Sequence, residues 1–597
     1  MKLHPQLSRL MLLSGLLCVL GVSAHAQEIP LRVNTETGET RAQFARRTKW
    51  WRDAKFGMFV HWGIYSVPSS DHKNTWSLGE WYMANLGMQV PDYEKYAAQF
   101  NPTQFNAHDW VALAKAAGMK YITITSKHHD GFAMFDSKLT DYNVVKATPW
   151  HHDPMKDLAA ECKKQGVKLC FYYSVKDWHS DDWVPHGEWD KRPKNGGNLD
   201  RYIGYMEGQL RELLTNYGPI GGIWFDGHLD HSAEEEHATE VVKMMRSLQP
   251  GIMVNDRINI PEDYDTPENA IPDSPLPGGR LWETCLTING HWGVAWNDLN
   301  YKSSGELIHT LCDVVSKGGN LLLNVGPDSS GRIPDGEIER LQQIGKWMDV
   351  NGDSIHGTTR SPFKTLPFDG RCTRKGDTIY LQVFHWPDAG LTLDHLTAGV
   401  REAVALDGDE QLPVVTLPGG VVRIGKPAKL DPAVTVIALH MTSKSVVDPL
   451  SLLIQPQPDG SYNLTAKEAA INGDTARSEL SANIEDIGYW TNIKDTVSWD
   501  IAVPAAQAGQ YTIALEFACI PESAGGAYAI TVDGSKQLAV TGTVDVTANW
   551  DTFKIVGVPG ILTLPKGKAT VRIAPRTMPL LGIMNLRRIT LTPIAVK

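Results

Sequence analysis

The chain has 597 residues, 42% hydrophobic and 21% charged, a globular balance that excludes a wholly disordered, collagenous or low-complexity protein. At roughly 150 residues per domain, the length predicts about four domains, or one large domain with smaller ones. The formal net charge of -11 gives no general attraction to a polyanion, so nucleic acid is not an expected partner.

At the N-terminus, Lys2 and Arg9 flank the start of an apolar run from Leu10 to Val22, followed by Ala24-His25-Ala26 and Gln27. This pattern predicts a signal peptide over residues 1–26, cleaved after Ala26, and hence a periplasmic or secreted protein. The run is short for a membrane span, and no other stretch of about 18 apolar residues follows. Cys18 is preceded by Leu16-Leu17, where a lipid-anchor motif needs small side chains. The other six cysteines, Cys162, Cys170, Cys285, Cys312, Cys372 and Cys519, are scattered with no C-x-x-C. They read as buried thiols rather than as a zinc site or a disulfide framework.

From about Lys55 to Gly357, apolar strands alternate with amphipathic helices. The strands are expected at Phe56 to His61, Tyr121 to Ser126, Val167 to Ser174, Gly222 to Asp226, Ile252 to Asn255 and Leu321 to Val325. The helices are expected at Asn106 to Ala117, Pro154 to Gln165, Arg201 to Tyr217, Ala233 to Gln249, Ser304 to Ser316 and Asp335 to Val350. Such alternation makes a parallel sheet, and the span suits a (β/α) TIM-like barrel over residues 27–357. Polar and aromatic residues gather at several strand ends (FVHWG, TSKHHDGF, FYYS, IWFDG, VNDR), where a barrel builds its active site. No G-x-G-x-x-G suggests a dinucleotide. Of the 19 tryptophans, 15 lie between Trp50 and Trp347, which favours flat, partly apolar ligands such as sugars unless the indoles are simply core.

After about Ser361 the pattern becomes short β-runs between Gly and Pro turns. It predicts a β-sandwich over 358–441, a linker over 442–459 and a second all-β, jelly-roll-like domain over 460–597. Tyr489, Trp490 and Trp550 could form a sugar platform there, or be core aromatics.

Asp226 ends the apolar strand IWFD, where a carboxylate needs a task or a partner. Strand alternation should point it into the barrel mouth beside Trp224. His128 and His129 should point to opposite faces and lack metal-ligand spacing, so they suit sugar hydroxyls better than a metal. His151 and His152 precede a helix and read as surface residues.

KFGMFVHWG, GEWY, KHHDGF, FYYS, IWFDG and VNDR, with WETC and NLLLNVGP, together resemble the α-L-fucosidases of glycoside hydrolase family 29. The resemblance covers residues 40 to 440. The last 140 residues resemble a carbohydrate-binding module only in style. What the resemblance implies is a retaining exo-hydrolase of terminal α-L-fucose acting through a covalent fucosyl-enzyme, with no metal or other cofactor. Its substrate would be a fucosylated oligosaccharide or glycoconjugate, and family members often form oligomers. The implied nucleophile is Asp226. The implied pocket is His61, Glu80, Trp81, His128, His129, Tyr172, Trp224, Arg257 and Trp292, the last under the sugar's methyl group. The acid/base falls on a variable loop. Glu268, shortly after Arg257, ranks first and Glu283 of WETC second, with Glu262 or Asp273 behind. The alternatives weighed are an inactive fucose- or glycan-binding protein, a glycosidase for galactose-like sugars, and a metal hydrolase using His128, His129 and Asp226.

Overall fold

The computed structural model describes residues 38–594 except 75–77, 195, 228–229, 273–278, 445–446, 474, 482–483 and 580. The expected signal peptide, Cys18 and Asp273 lie outside the described residues.

Eight parallel strands form the barrel: β1 (Phe56–Val60), β2 (Tyr121–Lys127), β3 (Lys168–Ser174), β4 (Gly222–Asp226), β5 (Met253–Val254), β6 (Tyr264–Asp265), β7 (Leu281–Thr287) and β8 (Asn320–Val325). Their order is β5-β4-β3-β2-β1-β8-β7-β6, and a parallel bridge between Asn255 and Tyr264 closes the ring. The TIM-like barrel expected from the sequence is therefore present, followed by antiparallel sheets.

Six helices correspond to those read from periodicity: α1 (Ala107–Ala116), α2 (Pro154–Gln165), α3 (Leu199–Asn216), α4 (Ala238–Leu248), α5 (Ser304–Ser316) and α6 (Asp335–Asn351). Local chemistry sets their ends. The side chains of Asn106, Asp153 and Asn198 accept hydrogen bonds from first-turn N–H groups of α1, α2 and α3, and Ser303 with Glu306 makes a capping box on α5. Gly166 ends α2 with φ of 77°. Two strands were not legible. β6 is only two residues long, and β7 carries Glu283 in its middle, so neither shows an apolar run. Among the described residues no helix separates β5, β6 and β7. Instead, Arg47 grips Asp263 at 2.6 and 2.8 Å, and Arg246 reaches Glu262 at 2.5 Å, tying down the β5–β6 connection.

Alternation along each strand divides the core into two layers. Met58, Ile124, Phe171, Ile223, Val254 and Leu323 face the helices. Phe59, Tyr121, Cys170, Tyr172, Trp224, Met253, Tyr264, Cys285 and Leu322 form the interior cluster. That interior is unusually aromatic, and its upper members become the floor of the site.

Two further β-layers follow. Sheets of five and three strands enclose a core around Ile379, Leu381, Leu391, Ile437 and Leu439. This unit docks on the barrel: Trp347 Nε1 donates to Val434 O at 3.0 Å, and His309 stacks on Phe384 at 3.9 Å. Sheets of six and five strands between Tyr462 and Pro593 enclose the last core, around Tyr462, Trp499, Tyr511 and Phe517. The connecting segment is held at both ends, because Val447 bridges to Leu396 and Ile454 bridges to Ile501. Trp490 is buried and donates to Asp495 O, so it cannot serve an exposed sugar platform. Tyr489 is exposed and Trp550 half-buried. All six described cysteines are free and buried. Among the described residues, no helix is long and apolar enough to cross a membrane.

Candidate active site

The C-terminal ends of the strands open into a cavity of about 450 Å³. His61, Glu80, Trp81, His128, His129, Tyr172, Trp224, Asp226, Arg257, Glu268 and Trp292 all line it. Glu283 and Glu262 do not. Glu262 belongs to the Arg246 cluster, and Glu283 lies beneath the floor inside the barrel.

Asp226 is the last residue of β4, paired in register with Ser174 of β3. Asn255 splints this strand end: its side chain accepts from Phe225 N at 2.8 Å and donates to Phe225 O at 2.9 Å. Gly227 then turns the chain away with φ of 77°, where a Cβ would meet Lys176 Cβ at 2.6 Å. The Asp226 carboxylate accepts from Tyr172 OH and from Arg257 Nη1, each at 2.9 Å. Burial opposes its ionisation, but His129, Arg257 and Tyr172 outweigh burial and hold it down at about 2. Its carboxylate is therefore unprotonated and held in a fixed orientation near neutral pH.

Arg257 joins the two carboxylates. Its Nη2 donates to Glu268 Oε2 at 2.8 Å while Nη1 holds Asp226. Nε donates to Thr266 Oγ1 at 2.9 Å, and the guanidinium lies over Trp224, 4.6 Å from the ring centroid. Glu268 sits on the loop after β6, with its side chain 41% exposed at the cavity rim.

The adjacent histidines do not face opposite ways. The β2–β3 register shifts between Thr125 and Lys127, and the chain leaves strand geometry at His128. A strand irregularity re-aims side chains, and here both rings enter the cavity with centroids 4.2 Å apart. His128 stacks on Tyr172 at 5.4 Å. Lys127, from the same motif, does not line the cavity: it reaches Asp177 and the hydroxyl of Tyr202 on α3, each at 3.0 Å. His151 and His152 are exposed.

The hydrogen bonds fix how the imidazoles address a ligand. Asn324 Nδ2 donates to Trp292 O at 2.6 Å, so its Oδ1, 2.7 Å from His61 Nδ1, accepts from that nitrogen. Ser174 Oγ donates to Lys176 O at 2.7 Å and therefore accepts from His129 Nδ1 at 2.6 Å. Above about pH 4 both rings thus keep an unprotonated Nε2, an acceptor for a hydroxyl group; below it the protonated His129, its Nε2 3.6 Å from Asp226 Oδ2, is the cation that favours the carboxylate. Burial pushes both histidines down to about 4. Glu80, buried and accepting from Gly293 N at 2.7 Å, is pushed up to about 6 by burial. Trp292, with Phe59 at 5.9 Å and His61 at 5.2 Å, supplies an apolar wall. Among the described residues, no group of three or more His, Cys, Asp or Glu is placed to hold a metal ion.

The arrangement pairs an activated carboxylate with a second carboxyl at the rim. It surrounds them with hydroxyl acceptors and indole faces, a set suited to displacement at a sugar carbon. Sequence reading missed Asn255, Ser174 and Asn324. Their only signal is a polar residue at or just beyond the end of a buried strand.

The histidines also predict a stability profile. The unfolded chain protonates them near 6.5, but the folded chain does so only near 4. Between those values the unfolded state binds more protons, so their contribution to stability falls as pH drops from about 6.5 to 4. Glu80 acts in the opposite sense. Calorimetric melting from pH 7 to 4 should therefore show a shallower acid decline in His61→Asn than in wild type; parallel profiles would contradict the assignment.

A family model described as Alpha-L-fucosidase matches residues 23–353. An alpha-L-fucosidase of Branchiostoma floridae is 31% identical over 378 residues, which are 59% of this chain and 81% of that protein. The crystal structure of an alpha-L-fucosidase from Vibrio sp. strain EJY3 is 26% identical, with a TM-score of 0.64, covering 92% of this chain and 98% of the other. A GH29 alpha-L-fucosidase from Bacteroides thetaiotaomicron, trapped as a covalent intermediate with 2-fluoro-fucosyl fluoride in a glutamate-to-glutamine mutant, is 29% identical. Its TM-score is 0.61, and the match covers 67% of this chain and 96% of that one.

Proposed function

The chain belongs to the α-L-fucosidase family, and from that premise we propose that Asp226 is the nucleophile and Glu268 the acid/base of this retaining α-L-fucosidase. The enzyme is a glycoside hydrolase that releases α-L-fucose from fucosylated glycans. The observation carrying the assignment is the Arg257 bridge, one guanidinium hydrogen-bonded to both carboxylates inside the cavity.

In the first step Asp226 attacks the anomeric carbon. The bond from that carbon to the leaving oxygen breaks, and Glu268 gives that oxygen its proton. Tyr172 and Arg257, donating to the two oxygens of the attacking carboxylate, hold it in position. In the second step a water oxygen attacks the same carbon, Glu268 accepts the water's proton, and Asp226 is released. Two inversions leave fucose with its α configuration. The unprotonated Nε2 atoms of His61 and His129 accept sugar hydroxyls. The wall of Trp292 and Phe59 favours the methyl of a 6-deoxy sugar over the hydroxymethyl of galactose.

Incubation with 2-fluoro-fucosyl fluoride, followed by peptide mass mapping, tests the nucleophile. The label should sit on the peptide containing Asp226; a label on another carboxylate sinks the assignment.

The same reading extends to the compartment. The basic residues, the apolar run and Ala24-His25-Ala26 support export to the periplasm or medium. Self-association enters it only through the family.

A further inference from the structure

The barrel interior holds a carboxyl that this mechanism does not use. Glu283 lies on β7 two residues before Cys285 and so faces the barrel interior. Such interiors are normally filled by branched aliphatic side chains. Here a carboxyl only 1% exposed occupies the layer below the cavity floor. Three aromatic donors from separate parts of the chain converge on it: Tyr121 OH from β2, Trp224 Nε1 from β4 at 3.2 Å, and Trp51 from the helix before β1. Burial pushes its proton affinity up to about 7. Placing a carboxyl there is costly, and an aliphatic residue would fill the layer more simply.

What the carboxyl touches leads directly to the chemistry. Trp224 is anchored at its nitrogen by Glu283, and its indole lies under the Arg257 guanidinium at 4.6 Å. The same indole stacks with Tyr172, at 5.7 Å and 17°. Arg257 and Tyr172 are the two donors to Asp226, and Arg257 also holds Glu268. The orientation of one indole thus sets two of the groups that position both carboxylates. Resting on the fucosidase reading above, we propose that Glu283 is a positioning residue: it fixes the plane of Trp224, and through it the Arg257 and Tyr172 contacts that hold Asp226 and Glu268 in place. It does not touch the substrate.

The test compares wild type, Glu283→Gln, Glu283→Leu, Trp224→Phe and Trp224→Phe/Glu283→Leu on an aryl α-L-fucoside, with melting temperatures recorded alongside. Misplacing reacting groups by about 1 Å costs on the order of 10²-fold. Glu283→Leu should lose about that much in kcat, with less change in KM. Glutamine keeps an acceptor for the indole N–H and a partner for Tyr121 OH, so Glu283→Gln should recover most of the loss. In the Trp224→Phe background, which lacks that N–H, the Glu283→Leu step should cost little more.

An equal cost in both backgrounds overturns the proposal. So does a Glu283→Leu variant that melts earlier but keeps its kcat, since that is a purely structural role. Azide rescue of Glu283→Leu with formation of fucosyl azide would instead make Glu283 the acid/base. Should Glu283→Leu fail to fold, Tyr121→Phe removes one anchor without adding volume, and an unchanged kcat there overturns the proposal. A wild type inactive on every α-L-fucoside would sink the fucosidase reading itself. An active wild type with a flat Glu283 series sinks only this inference.

Discussion

Asp226→Gly should lower kcat/KM for an aryl α-L-fucoside by on the order of 10⁴- to 10⁶-fold, the scale seen when a hydrolase loses its nucleophile. The loss has a specific origin. The carboxylate is held down at about 2, so it is ionised near neutral pH, and two hydrogen bonds aim it. Neither of the two glutamates weighed as acid/base is placed to replace it. Glu268 is held by the far side of Arg257, and Glu283 lies below the floor. Glycine leaves room for a small anion, so azide should restore turnover and give the β-fucosyl azide, because azide then takes the nucleophile's place. Product configuration by NMR reads this directly. Retention of full activity in Asp226→Gly would refute the mechanism.

For Glu268→Ala the expected loss is about 10²- to 10⁴-fold, the usual worth of a positioned proton donor and acceptor. It should grow as the leaving group becomes more basic, because a poor leaving group needs the proton more. An aryl fucoside should therefore show a smaller effect than a fucosylated disaccharide. Azide should rescue the aryl reaction and yield the α-fucosyl azide, since it displaces Asp226 from a β-linked fucosyl-enzyme. The parallel Glu283→Ala variant should form no azide product. Rescue confined to Glu283→Ala would reverse the two assignments. Arg257 complicates one expectation in an informative way: freed of Glu268, it keeps its bond to Asp226, so the trapped ester should still form in Glu268→Ala with an activated fluoride.

The two carboxylates show how much of the site the sequence could specify. IWFD marks Asp226 because a charge at the end of an apolar strand is costly and alternation sends it to the same face as Trp224. Glu268 and Glu283 could only be ranked, because neither has a local pattern that says which way it points. Tertiary placement separates them. The loop after β6 leaves Glu268 at the rim, while the pleat of β7 turns Glu283 into the barrel interior.

The same division runs through the whole protein. Periodicity and strand-end residues were enough for six helices, six of the eight strands and the barrel architecture, since each is written in residues close together in the chain. The strands β6 and β7 were hidden because one is too short to have a period and the other carries a buried glutamate. The shared orientation of His128 and His129 was missed because it depends on a register shift against β3. Trp490 and Tyr489, neighbours in sequence, differ in burial because only the packing of two distant sheets decides which ring is covered. Asn324, Ser174 and Asn255 acquired roles only once separate strands lay side by side. By itself the sequence determined the residue types of the site and the strand ends that carry them. Their directions and hydrogen-bond partners were decided only by closing the barrel, because contacts between strands 30 to 263 residues apart leave no local trace.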